Sequence, residues 1–147
     1  MGPPDAEPIG LQVTRTAKMV SRAFDDALAR AGGSLPIWLV LVSVKSNQRG
    51  AQRDLARAVG VEGPTLTHHL NRMEAAGLIT RTRRPDNRRV HDVALTEAGE
   101  ATFRRLLATV ATFDQQLRSG FTNKELDAVS TILERLRANV ADHESAH

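Results

Sequence analysis

Between Gly63 and Gly77 the chain reads GPTLTHHLNRMEAAG, a stretch whose start and stop are both written in. Proline fits only the first turn of a helix, where its missing N–H is not needed, so a helix begins near Pro64 and must end near Gly77. At 100° per residue Leu66, Leu70 and Met73 fall on one stripe, while Pro64, His68, Asn71, Arg72 and Ala75 point the other way and Thr65 and Thr67 flank them. His69 lands beside the apolar stripe. The two neighbouring imidazoles therefore divide, one facing outward and the other half packed.

What surrounds this helix limits the fold further. Upstream, AQRDLARAV presents Leu55, Ala56 and Val59 and ends at Gly60, so two short helices joined by a glycine-containing turn make a helix-turn-helix. Downstream, LITRTR and RVHDVAL are extended stretches around RPDN, a β-hairpin whose tip carries Arg84, Pro85, Asp86, Asn87 and Arg88. Two helices followed by a basic two-stranded wing describe a winged helix-turn-helix, spanning about residues 34–96. At its start Ser34 offers an N-cap, Pro36 sits in the first turn, and IWLVLVSV is apolar on nearly every side, as a central buried helix would be. That β-branched run would also suit a strand; Pro36 and the helices downstream decide against it.

The flanks are helical too. Val13, Ala17, Val20, Phe24, Ala27, Leu28 and Ala31 recur at helical spacing until the glycines at 32 and 33. Thr96 can cap a helix whose stripe is Phe103, Leu106, Leu107, Val110, Phe113 and Leu117, ending at SGF. Thr122 and Glu125 form a capping box opening the last helix. In it Leu126, Val129, Leu133, Leu136 and Val140 recur at three and four, close to a heptad seam. A seam needs a partner, so the helices at 9–31 and 97–143 are expected to build a homodimer interface. Residues 1–8, with three prolines, read as a disordered tail before a single domain at 9–147. The expected fold class is mainly α with a small β-hairpin wing.

Composition narrows the function. The 147 residues, 41% of them hydrophobic, suffice for one domain with a core. The absence of cysteine excludes disulfides, thiolate-bound zinc and thiol catalysis. No run of about 18 apolar residues or secretory leader occurs, so no membrane partner is expected and the cytoplasm is the expected compartment. Net charge is only +3, but between Arg72 and His91 six arginines face two carboxylates, Glu74 and Asp86. That clustering suits a polyanion such as nucleic acid, since each neutralised phosphate releases condensed counterions; a solvated surface loop would give the same composition. With 3% aromatic residues and no tyrosine, there is no stacking platform for single strands. No Ser/His/Asp set, phosphate-cradling glycine loop or HExxH pair occurs, so neither an enzyme nor a cofactor is expected. His143 and His147 are four apart but sit at the chain's end, where solvent exposure explains them better than a metal.

If the 64–76 helix enters a major groove, it offers Thr65, Thr67, His68, Asn71 and Arg72. Asn pairs with adenine, Arg with guanine or phosphate, Thr supplies a hydroxyl or methyl, and neutral His donates to a purine acceptor. Gln52 and Arg53, opening the preceding helix, are placed for backbone phosphate. Among the wing arginines, Arg84, Arg88 and Arg89, one of the last two can enter an adjacent narrowed minor groove. Each has a plainer reading: His68 as a solvated residue, Arg72 paired with a carboxylate, and Arg81 and Arg83, alternating with Thr80 and Thr82, as a wet strand face.

Over almost its full length the chain resembles the MarR/SlyA family of winged-helix transcriptional regulators. The resemblance rests on DLARAVGVEGPTLTHHLNRMEAAGLITR (54–81) and DNRRVHDVALTEAG (86–99), in the family's order and spacing. It implies a homodimer joined through terminal helices, one recognition helix per half of a pseudo-palindromic operator, repression of neighbouring genes, and release by a small aromatic or phenolic compound. By position Thr65, Thr67, His68 and Arg72 match the groove-reading face, and Arg88 and Arg89 the wing arginines. His68 stands where the family often has Arg, and His69 where it often has an aliphatic residue. Asn87 stands where the wing usually has Asp, with Asp86 one place earlier, so either Asp86 braces the wing arginines in its stead or the brace is weaker, and which arginine reaches the groove is left open. Lacking cysteine, the chain cannot use the peroxide-sensing mechanism of some members. Met19, Trp38 and Phe103 lie on helices that line the family's ligand pocket, where Arg15 or Arg22 would meet a carboxylate; Trp38 and Phe103 also suit plain core. A winged-helix protein-interaction module, using the same basic wing against an acidic partner, is the alternative.

Overall fold

The computed structural model describes residues 6–47, 50–51, 60–61, 63–83, 85–86 and 91–144, the side chains of 47, 50, 51, 91 and 142–144 excepted. Among the described residues five helices and three strands follow in the order α1 (Ile9–Arg30), α2 (Leu35–Asn47), β1 (Gly50–Ala51), α3 (Gly63–Ala75), β2 (Ile79–Arg83), β3 (His91–Leu95), α4 (Glu97–Arg118) and α5 (Asn123–Glu144).

Hydroxyl caps set three of the helix starts, each satisfying amides that the first turn leaves without partners. Ser34 Oγ accepts from the Ile37 N–H at 3.3 Å, and Thr96 Oγ1 from the Gly99 N–H at 3.0 Å. At α5 the box is reciprocal: the Glu125 N–H donates to Thr122 Oγ1 at 3.1 Å and the Thr122 N–H to Glu125 Oε1 at 2.9 Å. The bond from the Thr122 amide and, after it, a side-chain hydrogen bond with Thr122 hold the exposed Glu125 carboxyl below its ordinary pKa, because donors bond the charged oxygen best. α1 starts differently. It has no side-chain cap; instead Gln12 donates to the Glu7 carbonyl at 3.0 Å and Arg15 pairs with the Glu7 carboxylate, so Glu7 is tied to the helix.

Glycines in the left-handed region end α1 and α3. Gly32 has φ +81 and the Gly33 N–H reaches back to the Leu28 carbonyl at 2.9 Å; Gly77 has φ +76 and Leu78 reaches Met73 likewise at 2.9 Å. Both are Schellman closures.

The sheet is antiparallel in the order β1-β3-β2. Ile79 faces Leu95, Arg81 faces Val93 and Arg83 faces His91. The expected two-stranded wing thus gains a third strand, in which Gly50 and Ala51 pair with Val93 and Asp92. Ala51, expected to open a helix, lies in a strand instead; two residues are too few to show a period. The rest of that expected helix, 52–59, lies outside the described residues, as do Arg84 and residues 87–90 of the wing.

One core serves the first of two compact units, Met1–Ala111. α2 runs through its middle with Trp38, Val40, Leu41 and Val44 buried, which is why its sequence shows no polar face. Leu28, Leu66, Leu70, Met73, Ile79, Val93 and Leu106 close around it. Two glycines allow close approach. A Cβ on Gly33 would lie 2.7 Å from the Leu106 methyls, and one on Gly99 2.0 Å from the Leu78 carbonyl oxygen. The start of α4 is therefore seated on the turn that ends α3, where Thr96 Oγ1 also donates to the Gly77 carbonyl at 2.5 Å.

The second unit, Thr112–His147, holds the end of α4, a turn with Gly120 at φ +84, and α5. Among the described residues, the exposed large hydrophobics are confined to α1 (Ile9, Leu11, Val13, Met19), to Leu107, Leu117 and Phe121, and to α5 (Val129, Ile132, Leu133, Val140). None lies on α2, α3 or the sheet. Among the described residues no single helix is long and apolar enough to cross a membrane.

Candidate nucleic-acid interface

α3 is divided as its periodicity requires. Leu66, Leu70 and Met73 are buried, anchoring the helix against α2 and β2, while Thr65, His68, Asn71 and Arg72 are exposed. Thr67 is half-buried and its hydroxyl donates to the Gly63 carbonyl one turn back at 3.0 Å. His68 and His69 separate as expected: their rings are 6.0 Å apart and tilted by 54°, His68 exposed and His69 half-buried. Arg72 makes no ion pair among the described residues. Its charge is available to phosphate or guanine.

Arg81 is the residue that sequence reasoning missed. On a strand it reads as one more wet position, yet its side chain is only 17% exposed. Its Nη2 donates to Asn71 Oδ1 at 2.5 Å and to Glu74 Oε1 at 2.9 Å, both on α3. The signal was in the alternation itself: Arg81 is two residues from the buried Ile79, so it shares the core-facing side of β2. The wing and the recognition helix are thus joined by a charged clasp on top of their apolar contact.

Of the other expected DNA contacts, Gln52, Arg53, Arg84, Arg88 and Arg89 lie outside the described residues. Of the five expected ligand residues, two are in contact. Trp38 and Phe103 stack, with centroids 5.7 Å apart and planes 9° from parallel, and Lys45 Nζ lies 5.9 Å from the Phe103 centroid while pairing with Glu100 at 2.8 Å. Arg15 is engaged by Glu7, Met19 is 68% exposed, and Arg22 lines a shallow recess on α1 with Lys18 and Asp25. A different cavity, of about 450 Å³, opens between the start of α2 and α3, lined by Ser34, Ile37, His69, Arg72 and Met73 among others; none of the five reaches it.

The sequence model of the MarR family matches residues 34–91, the segment from the α2 cap to the first residue of β3. Among solved structures, the transcriptional repressor CouR bound to a 23-mer DNA duplex is similar at TM-score 0.81 and 27% identity, over 88% of this chain and 92% of that one. A MarR-family regulator from Rhodococcus sp. RHA1 is similar at TM-score 0.74 and 26% identity, over 87% and 91%. BpsR of Bordetella bronchiseptica, whose DNA binding is regulated by 6-hydroxynicotinic acid, shares the fold at TM-score 0.77 and 19% identity, over 89% and 99%. A buried-backed polar helix clasped to a small antiparallel wing, the matched segment and these likenesses agree: residues 34–91 match the MarR family, and the fold over most of the chain is shared with solved winged-helix transcriptional regulators of that kind.

Proposed function

We propose that the protein is a homodimeric, sequence-specific regulator of the cytoplasm that binds a pseudo-palindromic operator as a repressor and releases it when a small aromatic or phenolic compound binds. The observation that carries this reading is the division of α3, whose apolar stripe is fully buried while Thr65, His68, Asn71 and Arg72 face outward. A helix so anchored presents hydrogen-bonding groups at fixed positions, which base readout in a major groove requires. Thr65, Thr67, His68, Asn71 and Arg72 meet base edges or phosphate, Arg84, Arg88 and Arg89 act from the wing, and Gln52 and Arg53 hold the backbone. Dimerisation is supported by the confinement of exposed large hydrophobics to α1, the distal part of α4 with its following turn, and α5. Repression is supported by the likeness to CouR, and an aromatic effector by the one that acts on BpsR.

Duplexes enriched from a random pool, then competed against random duplex at fixed salt, test the reading. A specific regulator prefers its site by about 10³ or more. Equal affinity for random duplex or heparin would refute sequence-specific control. Repeating the competition with aromatic acids tests release.

A further inference from the structure

We propose that Arg81 is a positioning residue for base readout: by holding the Asn71 carbonyl it fixes that side chain as a donor, so that Asn71 selects guanine rather than adenine. The inference rests on the reading above, in which α3 enters a major groove.

The geometry leaves the Asn71 amide one arrangement. A guanidinium carries donors only, so the atom of Asn71 facing Arg81 Nη2 at 2.5 Å must be the oxygen; the reverse orientation would set an N–H against an N–H. The same nitrogen spends its second hydrogen on Glu74 Oε1 at 2.9 Å, one turn further along α3. Glu74 thereby keeps Arg81 over this stretch of helix, and the side chain, 17% exposed, is screened from most competing water. Charge-assisted bonds of this kind are the stronger class. Asn71, exposed, then turns its Nδ2 hydrogens outward with its oxygen drawn back toward the strand.

A free asparagine reads adenine by two bonds at once, giving a hydrogen to N7 and accepting one from the N6 amino group. With one lone pair of its oxygen given to Arg81 and the oxygen drawn toward the strand, Asn71 is poorly placed for the accepting half of that pair. Guanine presents O6 and N7, both acceptors, and an amide nitrogen with two hydrogens satisfies them. Arg81 touches no base in this arrangement. It decides what Asn71 can read.

The test is site selection from a random duplex pool with the full chain and four variants: Asn71→Ala, Arg81→Gln, the double variant, and Asn71→Asp. Loss of preference in Asn71→Ala marks the base position concerned, which in the parent protein is guanine. Arg81→Gln frees the amide to turn and moves that position toward adenine by roughly fivefold or more, the span of one good base contact; the double variant matches Asn71→Ala alone. Asn71→Asp keeps the clasp, so its folding is secure, and its carboxylate turns the position toward the amino group of cytosine. Adenine at that position in the parent, an Arg81→Gln profile identical to the parent's, or a general loss of affinity without change of base would each overturn the inference. If Arg81→Gln does not fold, an Asn71→Asp variant that keeps the parent's guanine overturns it. A parent protein that enriches no duplex refutes the underlying reading, and the inference with it, whereas enrichment by the parent with any of the preceding results removes the inference alone.

Discussion

Gly99 sits where the Leu78 carbonyl oxygen would meet a Cβ at 2.0 Å, far inside any permitted contact. The obstacle is backbone, so no rotamer change relieves it. Gly99→Ala is expected to lower stability by about 3 kcal/mol, at the upper end for overpacking, measured as a shift of the urea midpoint. At the interface, substitutions act on recognition instead. His68→Ala should flatten base preference at one position while leaving the unfolding midpoint unchanged, because the ring is exposed. Removing a core anchor such as Leu70, fully buried, should cost about 2–5 kcal/mol. Contact and anchor thus separate within one helix.

At the scale of elements, the cap of α5 ties stability to pH. Hydrogen bonds from the Thr122 amide and, after it, with the Thr122 side chain hold Glu125 below its ordinary pKa, so its share of stability is complete above the unfolded carboxylate's pKa and is lost as pH falls through the depressed folded value. Thr122→Ala, which keeps the amide but loses the hydroxyl, should therefore narrow in part the acid-side difference in stability between neutral pH and the carboxylate range. The wing predicts a different observable. Changing Arg88 and Arg89 to Ala should weaken binding across sequences and reduce the slope of log affinity against log salt by about 1.8 if both meet phosphate.

The caps, glycine stops and apolar stripes were legible in the sequence because each is local, set by residues within one turn of one another. Ser34, Thr96, Thr122, Gly77 and the Leu66, Leu70, Met73 stripe all stand where their spacing places them. What could not be read was contact between elements. The Arg81 clasp joins positions ten and seven apart in the chain, and β1 exists only through its pairing with β3. Helix membership likewise does not say what a side chain meets: Trp38 and Phe103 stack on each other, and Arg15 pairs with Glu7.

For the whole molecule, the pattern of exposed apolar side chains supports the proposed dimer. Val129, Ile132, Leu133 and Val140 on α5 are exposed, and water is a poor solvent for such a row. Leu133→Asp places a charge in it at little cost to the protomer's own core. Sedimentation should show a monomer at concentrations where the parent is a dimer, with operator affinity falling in parallel because each protomer alone holds only one recognition helix. The most direct measurement is the symmetry of the enriched duplexes together with the number of chains bound to each. Two inverted half-sites with centres about 10 base pairs apart or a multiple of that, carrying two chains, are expected of paired recognition helices one turn of DNA apart; a single unrepeated site carrying one chain would contradict it.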